Sequence, residues 1–254
     1  LKVIALYSIK GGVGKTAACV NLAYLAAKDN VPTLLCDLDP QGSSTFYFRI
    51  QPKAKYNSKK FLKGGKRVDR AIRGTDFQGL DLLPADLSYR NLDIMLNDKR
   101  NARTWLKQLL SPFEDEYGYI FLDCPPNITL VSENVFEASD AILVPLIPTT
   151  LSSLTYRKLE VFFEEQDLAT EKLHPFLSMV EFRKRMHQDS IRALRDEKAS
   201  LLKTVIPYTA DIEKMGVYRA PLPHYRPSSS GAVAFSDLWK EIQTSALKDG
   251  LHGN

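Results

Sequence analysis

The 254-residue chain contains few of the residues that support several classes of function. Its three cysteines, Cys19, Cys36 and Cys124, form no C-x-x-C pair and sit in apolar segments. That pattern excludes a disulfide scaffold or cysteine-rich metal site and reads as small core residues. The four histidines, His174, His187, His224 and His252, are scattered. No uncharged apolar run reaches the roughly eighteen residues of a membrane-spanning helix, and no leader-like segment opens the sequence. A soluble, cytoplasmic protein is the expectation. No low-complexity linker interrupts the chain, so residues 1–254 read as a single domain. The net charge is only +4. Acid is nevertheless nearly missing between Arg49 and Arg73, where Arg49, Lys53, Lys55, Lys59, Lys60, Lys63, Lys66, Arg67, Arg70 and Arg73 face Asp69 alone. Such a run is either a solvated face or a polyanion-binding patch.

What the chain does contain begins at once. The apolar run Val3 to Leu6 leads into Tyr7-Ser8-Ile9-Lys10-Gly11-Gly12-Val13-Gly14-Lys15-Thr16, followed by an Ala/Leu-rich helical pattern. Strand, glycine loop and helix in that order form a phosphate-binding loop. Backbone N–H groups of Gly11, Gly12, Val13, Gly14 and the following Lys15, Thr16 and Ala17 turn toward a polyphosphate at the positive end of the helix. Lys15 reaches the β- and γ-phosphates and Thr16 holds Mg²⁺, so the chain is expected to bind ATP or GTP.

Short apolar or β-branched runs recur at Val3 to Ser8, Thr33 to Asp37, Leu80 to Leu83, Tyr119 to Asp123, Ala141 to Leu146, Phe176 to Phe182 and Thr204 to Ile206. Between them lie helical patterns at Thr16 to Lys28, Arg103 to Leu110, Leu151 to Glu165, Ser190 to Ala199 and Gly231 to Leu247. The alternation predicts an α/β fold: a doubly wound, mostly parallel twisted sheet with helices on both faces. Ligands then bind at the carboxyl ends of the strands. Two of those strands end in acid, Asp37-Leu38-Asp39 and Asp123. A Mg²⁺ nucleotide needs carboxylates there, because the metal keeps several waters and takes few protein ligands. A turn-starting Asp is the alternative for each acid taken alone.

Lys10-Gly11-Gly12-Val13-Gly14-Lys15-Thr16 resembles the deviant Walker A box of the ParA/MinD family of P-loop NTPases. Asp37-Leu38-Asp39-Pro40-Gln41-Gly42 resembles its Walker A′ motif, Asp123-Cys124-Pro125-Pro126 its Walker B, and Thr204-Val205-Ile206-Pro207 the strand end beside adenine. The resemblance covers essentially the whole chain and is closer to ParA. It implies ATP and Mg²⁺ as cofactors, with Thr16, Asp37 and Asp123 supporting the metal and Pro207 near the base. It assigns catalysis to Lys15, to Asp39 orienting the attacking water, and to Lys10 completing the site of a second subunit. Slow hydrolysis in an ATP-dependent homodimer follows, stimulated by an adaptor that is ParB-like or bound to cargo.

The resemblance also implies non-specific DNA binding and a nucleoid-associated protein. Candidate phosphate contacts are Lys59, Lys60, Lys66 and Arg67; Arg183, Lys184, Arg185, Arg192 and Arg195; and Lys214, Arg219 and Arg226. The sequence departs from the family in two places. Ala17-Ala18 stand where threonines are frequent, and Tyr208, Thr209 and Asp211 follow Pro207 where many ParA proteins carry arginines. A MinD-like membrane switch would need a C-terminal amphipathic helix, for which residues 248–254 are short and polar. No membrane partner is therefore expected. An iron protein like that of nitrogenase would need cluster cysteines, which Cys19 and Cys124 do not supply. A non-catalytic nucleotide clamp is the remaining alternative.

Overall fold

The computed structural model describes residues 1–53, 55–99, 102–198 and 200–247. Eight strands, β1 (Lys2–Leu6), β2 (Thr33–Asp37), β3 (Arg73–Gly74), β4 (Leu80–Leu83), β5 (Tyr119–Asp123), β6 (Ala141–Leu146), β7 (Leu173–Val180) and β8 (Val205–Pro207), form one sheet. Their order is β3-β4-β2-β5-β1-β6-β7-β8, and every pairing is parallel except the antiparallel β3 on the β4 edge. The expected mostly parallel α/β sheet is the one observed.

The continuous apolar character of the strands reflects burial on both faces. Along β1, Val3 and Ala5 point into one core, joined by Tyr7 just beyond the strand, while Ile4 and Leu6 point into the other. The first core is closed by α3 (Ser58–Lys63), α4 (Lys66–Asp69), α5 (Leu92–Asn97), α6 (Trp105–Leu110), α7 (Leu130–Ala138) and α8 (Thr150–Glu165). The second is closed by α1 (Lys15–Lys28), α12 (Leu222–Tyr225) and α13 (Ser230–Thr244). The remaining helices are α2 (Ser43–Tyr47), α9 (Arg185–Glu197), α10 (Ala210–Glu213) and α11 (Met215–Tyr218). Helix α1 is apolar on nearly every side because it lies between sheet and α13. Its buried Asn21 accepts from the Leu222 amide at 2.8 Å and donates to the Ala17 carbonyl at 2.8 Å, pinning the segment after β8 to the phosphate-loop helix.

Several expected strands and helices have different ends. β1 stops at Leu6, leaving Tyr7 and Ser8 to the loop. β7 starts at Leu173, because Leu173 and Pro175 pair with Ile142 and Val144 of β6. It stops at Val180, leaving Phe182 exposed. α9 starts at Arg185 rather than Ser190, and α13 stops at Thr244. Ala199 and residues 248–254, on which two of the sequence readings fell, lie outside the described residues. The short helices α2 to α5 and α10 to α12 are too brief to show helical periodicity in sequence, and α7 was also not anticipated. All three cysteines are buried and free. Among the described residues no helix is long and apolar enough to cross a membrane.

The basic stretch is part of this architecture. Phe61 is buried, stacks on Tyr89 at 4.8 Å and meets Trp105 edge-on at 5.1 Å. Phe61→Ala is expected to destabilise the protein by about 3–5 kcal/mol in urea unfolding. A loss below about 1 kcal/mol would show that this stretch is not built into the core.

Candidate functional site

Because β1, β2 and β5 are parallel neighbours, their carboxyl ends converge on one edge of the sheet. From β1 the chain enters the glycine loop and turns into α1 at Gly14, which has φ 89° and acts as N-cap without a side chain. A Cβ there would lie 2.9 Å from Ser178 Oγ, so both backbone shape and space require glycine. Helix α1 has no side-chain cap and no acid in its first turn. Its leading amides and its dipole are therefore available to an anion. Gly11 and Gly12 are exposed, Val13 is buried, and Thr16 and Ala17 are half-buried.

Lys15 is buried, with its ammonium 3.5 Å from the Lys10 carbonyl. Burial lowers its pKa, while Asp123 is the largest influence acting the other way. Lys10 is half-buried, and its amide donates to Ser8 Oγ at 3.2 Å.

The two strand-end acids face each other across the ladder, Asp37 opposite Asp123, and both are fully buried. Asp37 Oδ2 accepts from the Thr45 amide at 2.8 Å and the Thr45 hydroxyl at 2.7 Å. Asp123 Oδ2 accepts from the Ser44 hydroxyl at 2.7 Å, whereas its Oδ1 is buried without a hydrogen bond of normal geometry among the described residues. Burial pushes the Asp123 carboxyl up to about 6, against the pull of the Ser44 and Thr16 hydroxyls and of Lys15. Burial and the neighbouring Asp123 push Asp37 up as well. Two carboxylates kept together away from water are unfavourable unless a cation joins them. An orphaned carboxylate oxygen beside Thr16 fits a hard divalent cation. Among the described residues no group of three or more His, Cys, Asp or Glu is arranged to hold a metal.

Asp39 follows the strand at the half-exposed rim, where its Oδ1 accepts from the Gln41 amide at 2.9 Å. It borders a cleft of about 530 Å³ with Pro40, Gln41, Arg90, Asp93 and Pro125. Pro207 ends β8, three strands from β1, with Tyr208 donating to the Val180 carbonyl at 3.0 Å. The structure thus brings Lys10, Lys15, Thr16, Asp37, Asp39 and Asp123 to one edge.

Ser44, Thr45 and Ser178 were missed in the sequence. The run Ser43-Ser44-Thr45 directly behind the acid motif was a usable signal for the first two. Ser178 had none, because a bulge in β7, with Met179 at φ 54°, brings it to the loop.

The candidate DNA contacts occupy separate elements. Lys59, Lys66 and Arg67 are exposed, while Lys60 donates to the Lys55 carbonyl. Arg183, Lys184, Arg185, Arg192 and Arg195 are exposed on and before α9, where Lys184 pairs with Glu181, Arg192 with Asp189 at 3.8 Å, and Arg195 reaches the Lys203 carbonyl at 3.3 Å. Lys214 is exposed. Two further sequence-predicted contacts are engaged as well: Arg219 donates to the Phe46 carbonyl at 3.0 Å and covers its ring at 4.4 Å, and Arg226 pairs with Asp211 at 3.0 Å.

A carboxyl with a folded-state pKa above its unfolded value imposes its full cost above that raised pKa, and the cost disappears as pH falls toward the unfolded value. With Asp123 raised from 3.8 to about 6, the nucleotide-free protein carries a penalty of roughly 2–3 kcal/mol at neutral pH. Asp123→Asn should therefore melt several degrees higher than the parent at pH 7.5, with the gap narrowing at pH 5. An equal gap at both pH values would contradict this account.

Comparison with known families and proteins accords with this geometry. Residues 1–179 match a family described as an AAA domain. The chain is 30% identical over 248 residues to the sporulation initiation inhibitor protein Soj of Bacillus subtilis, covering 95% of this chain and 98% of Soj. It is 27% identical over 252 residues to the chromosome partitioning protein ParA of Myxococcus xanthus, covering 95% of this chain and 87% of that protein. A crystal structure of cobyrinic acid a,c-diamide synthase from Mycobacterium smegmatis, with bound ATP analog and magnesium, shares the fold. The TM-score is 0.80 at 24% identity, covering 98% of this chain and 96% of the synthase.

Proposed function

The chain belongs to the ParA/MinD family of P-loop ATPases, and on that premise we propose that it is a ParA-type ATPase forming an ATP-sandwich dimer. In this reading the dimer binds DNA without sequence preference, associates with the nucleoid in the cytoplasm, and positions or segregates a cargo. Hydrolysis is slow until a cargo-bound or ParB-like adaptor stimulates it. The observation that carries the reading is Lys10, directly before a phosphate loop whose Lys15 and strand-end acids share one edge.

Each residue has a distinct task. Backbone amides from Gly11 to Ala17 and the ammonium of Lys15 bind the phosphates, and Pro207 lies near the base. Thr16, Asp37 and Asp123 hold Mg²⁺, which when bound neutralises charge on the phosphate oxygens. Ser44 and Thr45 fix the orientation of the two carboxylates. Asp39 stands at the rim, where it orients a water for in-line attack. Lys10 of a second copy supplies the last positive charge, which couples hydrolysis to dimerisation. Phosphoryl transfer needs placement and charge more than covalent help from protein, and this set provides both.

Lys15→Ala should weaken ATP binding by on the order of a hundredfold or more. Lys10→Ala should leave ATP binding to the monomer intact but abolish the ATP-dependent dimer in sedimentation velocity. Asp39→Ala should bind ATP, accumulate as dimer and release phosphate at roughly a tenth of the parent rate or less. Parental phosphate release by Asp39→Ala would remove Asp39 from the catalytic role.

A further inference from the structure

The bases between Arg49 and Arg73 are held on a scaffold. Asn57 caps α3 by accepting from the Lys60 amide at 3.2 Å, and Phe61, Leu62 and Val68 anchor α3 and α4 in the core. Between the two helices the chain turns at Gly64, with φ 63°, where a Cβ would lie 2.9 Å from Leu109 Cδ1. The turn sets Lys60, Arg67 and Arg70 across from Lys53 and Lys55 around a concavity of about 330 Å³. Tyr56 and Ala71 complete its lining.

These cations are not neutralised. Lys53 donates to the Arg70 carbonyl at 2.5 Å and Lys60 to that of Lys55, bonds that orient the ammonium groups without cancelling their charge. Among the described residues no carboxylate forms an ion pair with Lys53, Lys55, Lys60, Arg67 or Arg70. Several bases elsewhere are paired: Arg49 at the start of the stretch with Asp76, Lys184 and Arg192 with acids of their own segment, and Arg226 with Asp211. Like charges converging on one concavity repel each other, and an anion relieves that repulsion.

We propose that this bowl is a phosphate-binding site, separate from the phosphate loop, whose ligand is the phosphodiester backbone of nucleic acid. Exposed Lys59, Lys63 and Lys66 in the same segment extend the positive charge beyond the bowl, which favours a chain of phosphates over a single small anion. The alkyl stems of the lysines and arginines offer apolar surface to the sugars, over a floor closed by the buried Tyr56 and Ala71. The site makes contact without base recognition, because phosphate contacts carry no sequence information. It assigns phosphate contacts to Lys53, Lys55 and Arg70, and it rests on the DNA-binding reading above.

The test is binding to a short non-specific duplex with ATP across a salt series. It compares the parent, the Lys55→Gln/Arg67→Gln/Arg70→Gln variant, and a charge-matched Lys28→Gln/Lys107→Gln/Lys203→Gln control. The bowl variant should lose about two to three from the magnitude of the slope of log affinity against log salt. The control should keep the parental slope, and both variants should retain parental melting temperature and binding of a fluorescent ATP analogue. A parental slope in the bowl variant, or an equal loss in the control, overturns the bowl while leaving DNA binding itself standing. A parent chain that binds no duplex in ATP overturns both readings.

Discussion

The arrangement on which the rest depends is a pair of like charges buried side by side. Asp37 and Asp123 end adjacent parallel strands in register, so the sheet leaves them no means of moving apart. Hydroxyls from α2 hold one oxygen of each, and Lys15 lies close enough to favour the ionised form of Asp123. Asp123 Oδ1 is left without a hydrogen bond among the described residues. An interior that retains such a defect is stabilised by the packed sheet around it.

The surrounding elements keep that edge rigid. The Thr45 hydroxyl also accepts from the Ala85 amide at 3.0 Å, joining the end of β4 to the loop after β2. Asn21 links α1 to the segment beyond β8, and Arg219, held at φ 49°, links that segment back to Phe46 of α2. The phosphate loop, the acid-bearing loop and the chain after β8 therefore share fixed contacts.

The net charge understates the electrostatics of the molecule. Several of the bases on α9 and in the C-terminal region have partners, so their fields are partly cancelled locally. The segment from Lys53 to Arg73 retains its charge because acids are nearly missing from it and because buried aromatic residues fix its shape. A mobile basic loop could disperse its charges, whereas this one holds them together.

Much of this was legible before folding. The strands β2, β4, β5 and β6 coincide with apolar runs whose ends are marked by turn residues or acids, and a glycine loop between strand and helix has one dominant chemical use. Local chemistry determined that Asp37 and Asp123 end strands, that Asp39 follows one, and that Lys15 and Thr16 open the helix after the glycine loop. Tertiary structure alone decided that Asp37 faces Asp123, since register depends on which strands become neighbours. It also decided that Ser178 meets Gly14 through a bulge, that Arg219 and Arg226 are engaged, and that five scattered cations form a bowl. Each of these depends on contacts between residues distant in the chain, and periodicity and spacing carry no record of such contacts.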